Sequence, residues 1–225
     1  MTVDPSDLRA LALTLRLALW TILWTFALGT PLAYWLASGH SRGRSIVSAC
    51  TLLPLAIPPT VLGFYLLGFF GPRGWGGQSL AWLGVEPLVF SFAGLVVASS
   101  IGTLPFVVQP LIAAFRGVGR LYLEAAATLR MGPWARFFWV ALPLSRHGFT
   151  TGLVLAFTHT LGEFGVVLML GGNVPGQTRV LSIALYERVE ALDYGRAHAL
   201  AAILIGLSLA GLVLLWAFES RRRHD

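Results

Sequence analysis

Glu163 and His159 are the two side chains whose types and spacing first suggest chemistry in this sequence. Both lie within a long apolar run, four residues apart, so a helix would place them on one face. An imidazole beside a carboxylate can transfer protons or help to bind a metal. Neither a nucleophile nor further metal ligands accompany the pair, and no H-E-x-x-H motif occurs. We therefore expect no metal site and no enzyme, and we interpret Glu163 as a structural or gating acceptor of hydrogen bonds.

The composition indicates a membrane protein. Of the 225 residues, 56% are hydrophobic and 12% are charged, and the mean hydropathy is +0.74. All sixteen basic residues are arginine, which excludes a Walker A lysine and therefore ATP binding through a P-loop; we expect no cofactor in this chain. The net charge of +6 lies in the gaps between apolar runs, which indicates membrane orientation and no nucleic-acid partner. The single cysteine, Cys50, excludes an internal disulfide.

Several apolar runs are long enough to cross a lipid bilayer as helices. We predict an all-α polytopic membrane protein in which residues 1–225 form a single transmembrane domain. Six spans result if the first run is broken near Pro31; otherwise there are five. A shorter segment, 180–189, carries Glu187 and Arg188 and is predicted to form an amphipathic helix at the membrane surface. The five predicted spans are 11–37, 46–71, 88–114, 148–171 and 197–218.

The arginine content of the loops predicts their orientation, because arginine accumulates on the cytoplasmic side. The segments 38–45 and 115–147 are rich in arginine and poor in acids, so both are predicted to lie inside. The segments 72–87 and 172–196 balance basic and acidic residues and are predicted to lie outside. The N-terminus is then outside, and the C-terminal tail is cytoplasmic.

Prolines and hydroxyl groups within the predicted spans indicate a translocation pathway. Pro58 and Pro59 lie in the middle of the second run, and Pro105 and Pro110 lie in the third. Proline frees backbone carbonyls, which are tolerated within a membrane only beside other helices or a water-filled cavity; kinks that merely improve packing are the alternative. No arginine falls within the spans from residue 46 onward, so weak donors would line the route. The candidate pathway residues are Pro58, Pro59, Ser99, Ser100, Thr103, Thr158, His159, Thr160 and Glu163.

The loop 115–147 contains a predicted hairpin of two short helices. The first covers 121–129 and is expected to end with Gly132 at its C′ position; the second starts at Pro133 and is closed by Pro143. Isolated helices shorter than about 12–15 residues are marginal in water, so the hairpin needs a partner. It either inserts into a protein groove or lies on anionic lipid headgroups.

The same hairpin carries a family resemblance. Glu124, Ala125 and Ala126 stand at a fixed distance before Leu142 and Pro143, and this spacing resembles the E-A-A loop of permease subunits in binding-protein-dependent ABC importers. The family has glycine where this chain has Arg130. Stretches 54–67 and 161–186 are similar to molybdate permeases in particular, and sulfate and tungstate permeases are also similar. The residues that this resemblance assigns to coupling with an ATPase are Glu124, Ala125, Ala126, Arg130, Gly132 and Pro143.

The resemblance implies a MetI-like fold and a set of partners. These are a second copy of the chain, two ABC subunits that bind ATP and Mg²⁺, and a periplasmic oxyanion-binding protein, at the cytoplasmic membrane of a bacterium or archaeon. The cargo would be molybdate or tungstate, with sulfate as the alternative; a membrane scaffold without transport is the rival function. The turn that could meet the binding protein, or that is an ordinary hairpin loop, contains Asn173, Pro175, Gly176 and Arg179.

Overall fold

The computed structural model describes residues 4–39 and 41–220, without the side chains of Arg120 and 218–220. The described residues form helices and no strand. The helices are α1 (Pro5–Ala37), α2 (Arg42–Ala56), α3 (Pro59–Phe70), α4 (Trp75–Trp82), α5 (Phe92–Gly117), α6 (Arg120–Thr128), α7 (Pro133–Arg136), a π-helical segment (Phe137–Ala141), α8 (Leu142–Leu144), α9 (Arg146–Gly162), α10 (Gly165–Gly171), α11 (Leu181–Glu190) and α12 (Tyr194–Ser220).

Three helices are long and apolar enough to cross a membrane alone, namely α1, α5 and α12. Two bent pairs of helices meet the same criterion together: α2 with α3, bent by 109°, and α9 with α10, bent by 61°. The described residues therefore provide up to five spans, in the five apolar runs. The second and fourth runs are not the simple helices expected from their length.

The first run is not broken at Pro31, so the alternative of six spans is wrong. Asp4 caps α1 by accepting a hydrogen bond from the Ser6 N–H (2.9 Å), and the helix continues to Ala37. Close packing against α5 supports the helix around the proline. A Cβ at Gly29 would lie 3.2 Å from Val108 Cγ2 of α5, and Ala33 is fully buried.

The central helix is α5, which packs against α1 on one side and α9 on the other. Pro105 and Pro110 do not break it. Its two ends belong to different core clusters. One cluster joins Val107, Leu111 and Phe115 to the end of α1, and the other joins Leu95 to Val167 and Ile183. The helix therefore connects the two ends of the molecule mechanically.

The connecting segments gather at two opposite ends, which we call the outer end and the hairpin end. At the outer end, the Leu181 N–H donates to Thr14 Oγ1 (2.8 Å), and the Phe90 N–H donates to the Leu170 carbonyl (2.9 Å). At the hairpin end, the Tyr34 ring of α1 packs edge-on against Phe137, with ring centroids 4.9 Å apart. The start of α1 thus lies with 72–87 and 172–196, and the end of α1 lies with 115–147. This grouping agrees with the arginine distribution.

The segment predicted at 180–189 forms the helix α11, and its apolar side is buried. Ile183 and Ala184 are almost inaccessible and pack with residues of α1, α10 and α12. The helix is therefore part of the protein core at the outer end. The arginine-rich tail used in the orientation argument, 221–225, lies outside the described residues.

Candidate functional site

The two bent pairs of helices meet at their breaks. The first break lies at Ile57–Pro58, between α2 and α3, and the second lies at Glu163–Phe164, between α9 and α10. A Cβ at Gly165 would lie 3.1 Å from Pro59 Cβ, and one at Gly63 would lie 3.0 Å from Val166 Cα. We call this contact between residues 57–63 and 163–166 the crossing. Glycine allows the two backbones to approach this closely.

Glu163 lies at the crossing and is buried. Only 6% of the residue is exposed, and its backbone carbonyl accepts a hydrogen bond from Ser182 Oγ (2.8 Å). The carboxyl group lies against Gly102, where an added Cβ would be 2.7 Å from Glu163 Oε1. Within the described residues neither carboxyl oxygen has a hydrogen-bond partner that meets the usual geometry, although the Ser99 hydroxyl is nearby. A buried polar group without a close partner marks a site at which a functional role is expected.

Two cavities lie along α5 and α9. The smaller, about 220 Å³, is lined at the crossing by Pro59, His159 and Glu163. The larger, about 750 Å³, extends toward the hairpin end past Gln109 and His147. Leu55 borders both cavities. Between them the His159 ring stacks on Phe106, with centroids 4.2 Å apart and planes at 26°. The two cavities therefore follow one another from the hairpin end to the crossing.

The structure separates the hydroxyl groups that we assigned to the pathway. Ser99, Thr103 and Thr160 are buried between α5 and α9, where they support helix packing. The hydroxyl of Thr158 donates to the Val154 carbonyl (2.9 Å), and its methyl group faces Gly211 of α12. Ser100 lines a different cavity, between α1 and α5. Of the predicted pathway residues, the ones that line the smaller cavity are Pro59, His159 and Glu163; Pro58 is exposed beside it.

Sequence reasoning missed polar residues that lie along the larger cavity. The Gln109 amide donates to Thr51 Oγ1 (3.2 Å) and thereby connects α5 to α2. His147 and Thr151 border the same cavity from α9. The signal available in the sequence was the placement of polar side chains inside apolar runs, and Gln109 is the amide within the third run.

The turn of the hairpin uses Arg130 where Gly132 was expected. Arg130 adopts a left-handed conformation (φ +56°) directly after α6. Its N–H donates to the Ala127 carbonyl (3.0 Å), and the Met131 N–H donates to the Ala126 carbonyl (3.1 Å). These two bonds form a Schellman motif, in which the C′ residue needs positive φ. The assignment of Gly132 to C′ is wrong: Gly132 has φ −65° and precedes α7 as its N-cap.

The second arm of the hairpin does not end at Pro143 as expected. Helical structure runs from Pro133 through the π-helical segment to Leu144, and the chain turns at Ser145. In the π-helical segment, the Leu142 N–H donates to the Phe137 carbonyl, which widens the turn just before the proline. A wider turn relieves the clash between a proline ring and the preceding turn, so Pro143 is accommodated.

The hairpin is fastened to the core by one face and exposes another. Leu123, Phe137 and the small Ala126, which is 5% exposed, pack inward. Ala126 therefore faces this chain itself, whereas Glu124 and Ala125 are exposed. On the outside lie large apolar side chains, including Trp134 and Trp139, which are 75% and 78% exposed. The remaining large apolar residues of the hairpin that are exposed are Leu121, Tyr122, Leu129, Phe138 and Leu144. A surface of this kind indicates a partner or a membrane.

The predicted outer turn is present and is fixed to α11 through Glu187. Gly176 has a left-handed conformation (φ +78°), and the Val174 N–H donates to Thr178 Oγ1 (3.0 Å). Glu187 accepts a hydrogen bond from Asn173 Nδ2 and forms an ion pair with Arg179, at 2.5 Å each. The turn therefore presents a defined shape at the outer end.

Charged residues also fasten the start of α1 to the outer end. The Arg188 guanidinium lies 3.4 Å from Asp4 and 3.3 Å from Asp7. Hydrogen bonds from the backbone and side chain of Ser6 lower the pKa of Asp4, and the charges of Arg188 and Arg196 add to that effect. The ionised form of Asp4 is therefore favoured in the folded protein.

Comparison with known proteins identifies both a family and individual relatives. Residues 29–224 match the family model described as "Binding-protein-dependent transport system inner membrane component". The chain is 50% identical over 223 residues to the molybdenum transport system permease protein ModB of Azotobacter vinelandii, covering 99% of this chain and 97% of that protein. The Escherichia coli K12 protein of the same name is 33% identical over 216 residues (96% and 93%). The E. coli K12 sulfate transport system permease protein CysT is 31% identical over 218 residues (97% and 78%).

A solved structure shares the fold. A bacterial ABC transporter involved in the import of the acidic polysaccharide alginate contains a chain that aligns with a TM-score of 0.75, with 21% identity, covering 98% of this chain and 80% of that one. This similarity shows the all-α architecture of ABC importer permeases, the MetI-like fold. At this level of identity it carries no information about the cargo.

Proposed function

Since the chain belongs to the binding-protein-dependent transport system inner membrane component family, we propose that it is the permease subunit of an ATP-driven importer of molybdate, with tungstate as an alternative cargo. The similarity over nearly its whole length to the molybdenum permease of A. vinelandii supports the choice of cargo. The structure of the hairpin is the main support for the proposed transport mechanism. It is fastened to the core on one face and exposes Glu124 and a large apolar surface on the other.

The proposed complex contains two copies of this chain, two ATP-binding subunits and a periplasmic oxyanion-binding protein. ATP and Mg²⁺ belong to the ATP-binding subunits, since this chain has no lysine for a P-loop. The complex lies in the cytoplasmic membrane of a bacterium or archaeon, with the outer end in the periplasm and the hairpin end and C-terminus in the cytoplasm. The outer turn that contains Asn173, Pro175, Gly176 and Arg179 would then face the binding protein.

The packing of the hairpin explains how force from an ATPase would reach the spans. Phe137 of the hairpin packs against Tyr34 of α1 at 4.9 Å and against Phe115 of α5 at 6.1 Å between ring centroids. Tyr34 and Phe115 also contact each other, at 5.4 Å. Because the three rings form a closed cluster, a displacement of the hairpin moves the ends of α1 and α5 with it. Docking of α6 in an ATPase groove would therefore drive a rigid-body motion of the bundle.

The crossing is the proposed gate. The larger cavity extends toward the hairpin end, and the stacked rings of His159 and Phe106 lie between it and the smaller cavity. A dianion that approached Glu163 would meet a buried acidic group that has no basic partner within hydrogen-bonding distance among the described residues. Passage would thus require α2–α3 and α9–α10 to rotate at their breaks and expose weaker donors. In this mechanism Glu163 helps to keep the crossing closed and does not bind the anion.

Sulfate transport is the second candidate, because a sulfate permease is also similar to the chain. The two molybdenum permeases are covered to 97% and 93% of their length by this chain, and the sulfate permease to 78%. The identity to the A. vinelandii molybdenum permease is 50%, against 31% to the sulfate permease, which favours molybdate. The deciding measurement is ATP hydrolysis by the complete complex in liposomes, with the binding protein loaded with molybdate, tungstate or sulfate. If sulfate stimulates ATP hydrolysis and molybdate and tungstate do not, the cargo is sulfate and not molybdate.

The coupling role is tested by charge reversal on the hairpin. Glu124→Arg should prevent the ATP-binding subunit from co-purifying with this chain, because a positive charge would face the proposed groove. The matched control is Glu86→Arg, which makes the same change at an exposed glutamate of the outer end. Equal recovery of the ATP-binding subunit with wild type and with Glu124→Arg would contradict docking through α6. If no ATP-binding subunit is recovered with any variant, including wild type, the scaffold function is favoured.

A further inference from the structure

A groove between α1 and α5 has no role in the transport mechanism described above. Its volume is about 570 Å³, and none of the described residues that line it belongs to the crossing. From α1 it is lined by Arg16, Trp20, Trp24 and Leu28, and α5 contributes Phe92 and Ser100 among others. We call it the α1–α5 groove.

The α1 side of the groove is a stripe that is inclined to the helix axis. Arg16, Trp20, Trp24 and Leu28 are each four residues apart, so they form one continuous row that winds slowly around the helix. The three apolar side chains are exposed, with Leu28 reaching 61%. From Arg16 to Leu28 the helix rises about 18 Å, slightly more than half of a hydrocarbon core of about 30 Å. The groove therefore has the length of one acyl chain of one leaflet.

The charge of Arg16 lies at the outer mouth of this groove. Its guanidinium carbon is 4.6 Å from the centroid of the Phe92 ring, which holds the side chain in place by a cation–π contact. The groove contains no acidic residue, and the ion pairs found among the described residues do not include Arg16. The described residues of the α1–α5 groove therefore provide no negative charge to pair with Arg16.

The position of Arg16 along α1 agrees with the level of the lipid headgroups. Arg16 precedes the end of α1 at Ala37 by 21 residues, which corresponds to a rise of about 31 Å and matches the thickness of the hydrocarbon core. When the hairpin end lies at one boundary of the hydrocarbon core of the membrane, Arg16 lies at the opposite boundary. Tryptophan side chains below it are typical of this region of a membrane protein.

We propose that the α1–α5 groove binds an anionic phospholipid of the outer leaflet. Its phosphate pairs with Arg16, and one acyl chain lies along Trp20, Trp24 and Leu28. A phosphodiester supplies the negative charge that the groove lacks, and an acyl chain covers apolar side chains of matching length. The same groove on a second copy of the chain would bring only another arginine, so a lipid fits the observed charge better.

The test is lipid retention by the full chain. Wild type and variants are reconstituted into nanodiscs that contain equal amounts of phosphatidylglycerol and phosphatidylcholine, extracted with mild detergent, and analysed by native mass spectrometry. Wild type should retain phosphatidylglycerol in preference to phosphatidylcholine. Arg16→Gln should lower that preference about fivefold, as expected for the loss of one basic side chain near a membrane surface. Arg9→Gln removes an exposed arginine from the same helix outside the groove and should leave the preference unchanged.

Two results would overturn the proposal. The first is an unchanged preference for phosphatidylglycerol in Arg16→Gln, or an equal loss in Arg9→Gln, because the effect would then not belong to this groove. The second is occupation of the groove by a second copy. To detect it, Trp24→Cys is combined with Cys50→Ser and oxidised in the membrane, and efficient formation of a disulfide-linked dimer would show that protein and not lipid covers the stripe.

Discussion

The Thr103 hydroxyl of α5 lies 3.3 Å from the Thr160 hydroxyl of α9, and both side chains are buried. Thr160 also has a second partner, since its Oγ1 lies 2.8 Å from the Ala156 carbonyl. Thr103 has no other hydrogen bond of its side chain among those found in the described residues. The contact is therefore asymmetric, which has a measurable consequence.

Replacing Thr160 should destabilise the protein more than replacing Thr103. Thr160→Val leaves the buried Thr103 hydroxyl without a partner and should cost about 1–3 kcal/mol, whereas Thr103→Val should cost about 0.5–1.5 kcal/mol. The double variant should lose less than the sum, because no hydroxyl then remains unsatisfied. Thermal unfolding in detergent measures all three. Strict additivity would show that the two hydroxyls do not interact.

Arg130→Gly should stabilise the hairpin. Arg130 occupies a left-handed conformation that costs a residue with a side chain roughly 1 kcal/mol, and glycine adopts it freely. Gly132→Ala serves as the control, since Gly132 has φ −65° and an added Cβ would meet no atom within 4 Å. We expect a higher melting temperature for Arg130→Gly and little change for Gly132→Ala. A melting temperature that is unchanged in Arg130→Gly and lowered in Gly132→Ala would show that Gly132 is the C′ residue.

Gly63→Ala should disturb the crossing. A Cβ there would lie 2.8 Å from Met169 Cβ and 3.0 Å from Val166 Cα, so α3 and α10 would have to separate, at a cost of about 1–3 kcal/mol. Gly68→Ala in the same helix has open space around its Cβ and should be neutral or slightly stabilising. Thermal stability and cargo-stimulated ATP hydrolysis should both fall for Gly63→Ala alone. Equal behaviour of the two variants would mean that the crossing tolerates separation.

Asp4 should make the stability of the outer end depend on pH. Its pKa is lowered in the folded state from the ordinary value of 3.8, so its stabilising contribution is present above that value and disappears as the pH falls through the folded pKa. Wild type should therefore be more stable than Asp4→Asn at neutral pH, and the difference should shrink between about pH 5 and pH 3. Asparagine keeps the helix cap, so the comparison isolates the charge. A difference that stays constant over this range would exclude the ionic contribution.

Much of the fold follows from local pattern, and the exceptions have physical causes. The lengths of the apolar segments predicted the five runs, and the arginine content of the loops predicted how the loops group at two ends. Pro31, Pro105 and Pro110 do not break their helices, because tight packing of α1 and α5 supports the backbone around them. Pro58 and Pro59 do break theirs, because two consecutive residues lack an N–H and packing would have to compensate for both losses. Sequence shows the prolines but not the packing.

The candidate site was less predictable because it depends on which face each side chain takes. Thr158, His159 and Thr160 are adjacent in sequence, yet Thr158 faces α12, His159 lines the smaller cavity and Thr160 faces α5. Successive residues on a helix are about 100° apart, so neighbours in sequence need not share a function. The C′ position after α6 was assigned to Gly132 and not to Arg130 for another reason. Only the hydrogen bonds at the end of α6 show which residue follows the C-cap.

The 109° bend between α2 and α3 also affects the energetic barrier to motion. Pro58 and Pro59 carry no amide hydrogen, and the backbone bonds on either side remain within their own helices, from Ile57 to Leu53 and from Val61 to Pro58. No backbone hydrogen bond therefore has to break when α2 swings relative to α3. The chain contains a joint of low torsional stiffness at the crossing, so the resistance to opening resides in side-chain contacts and not in the main chain.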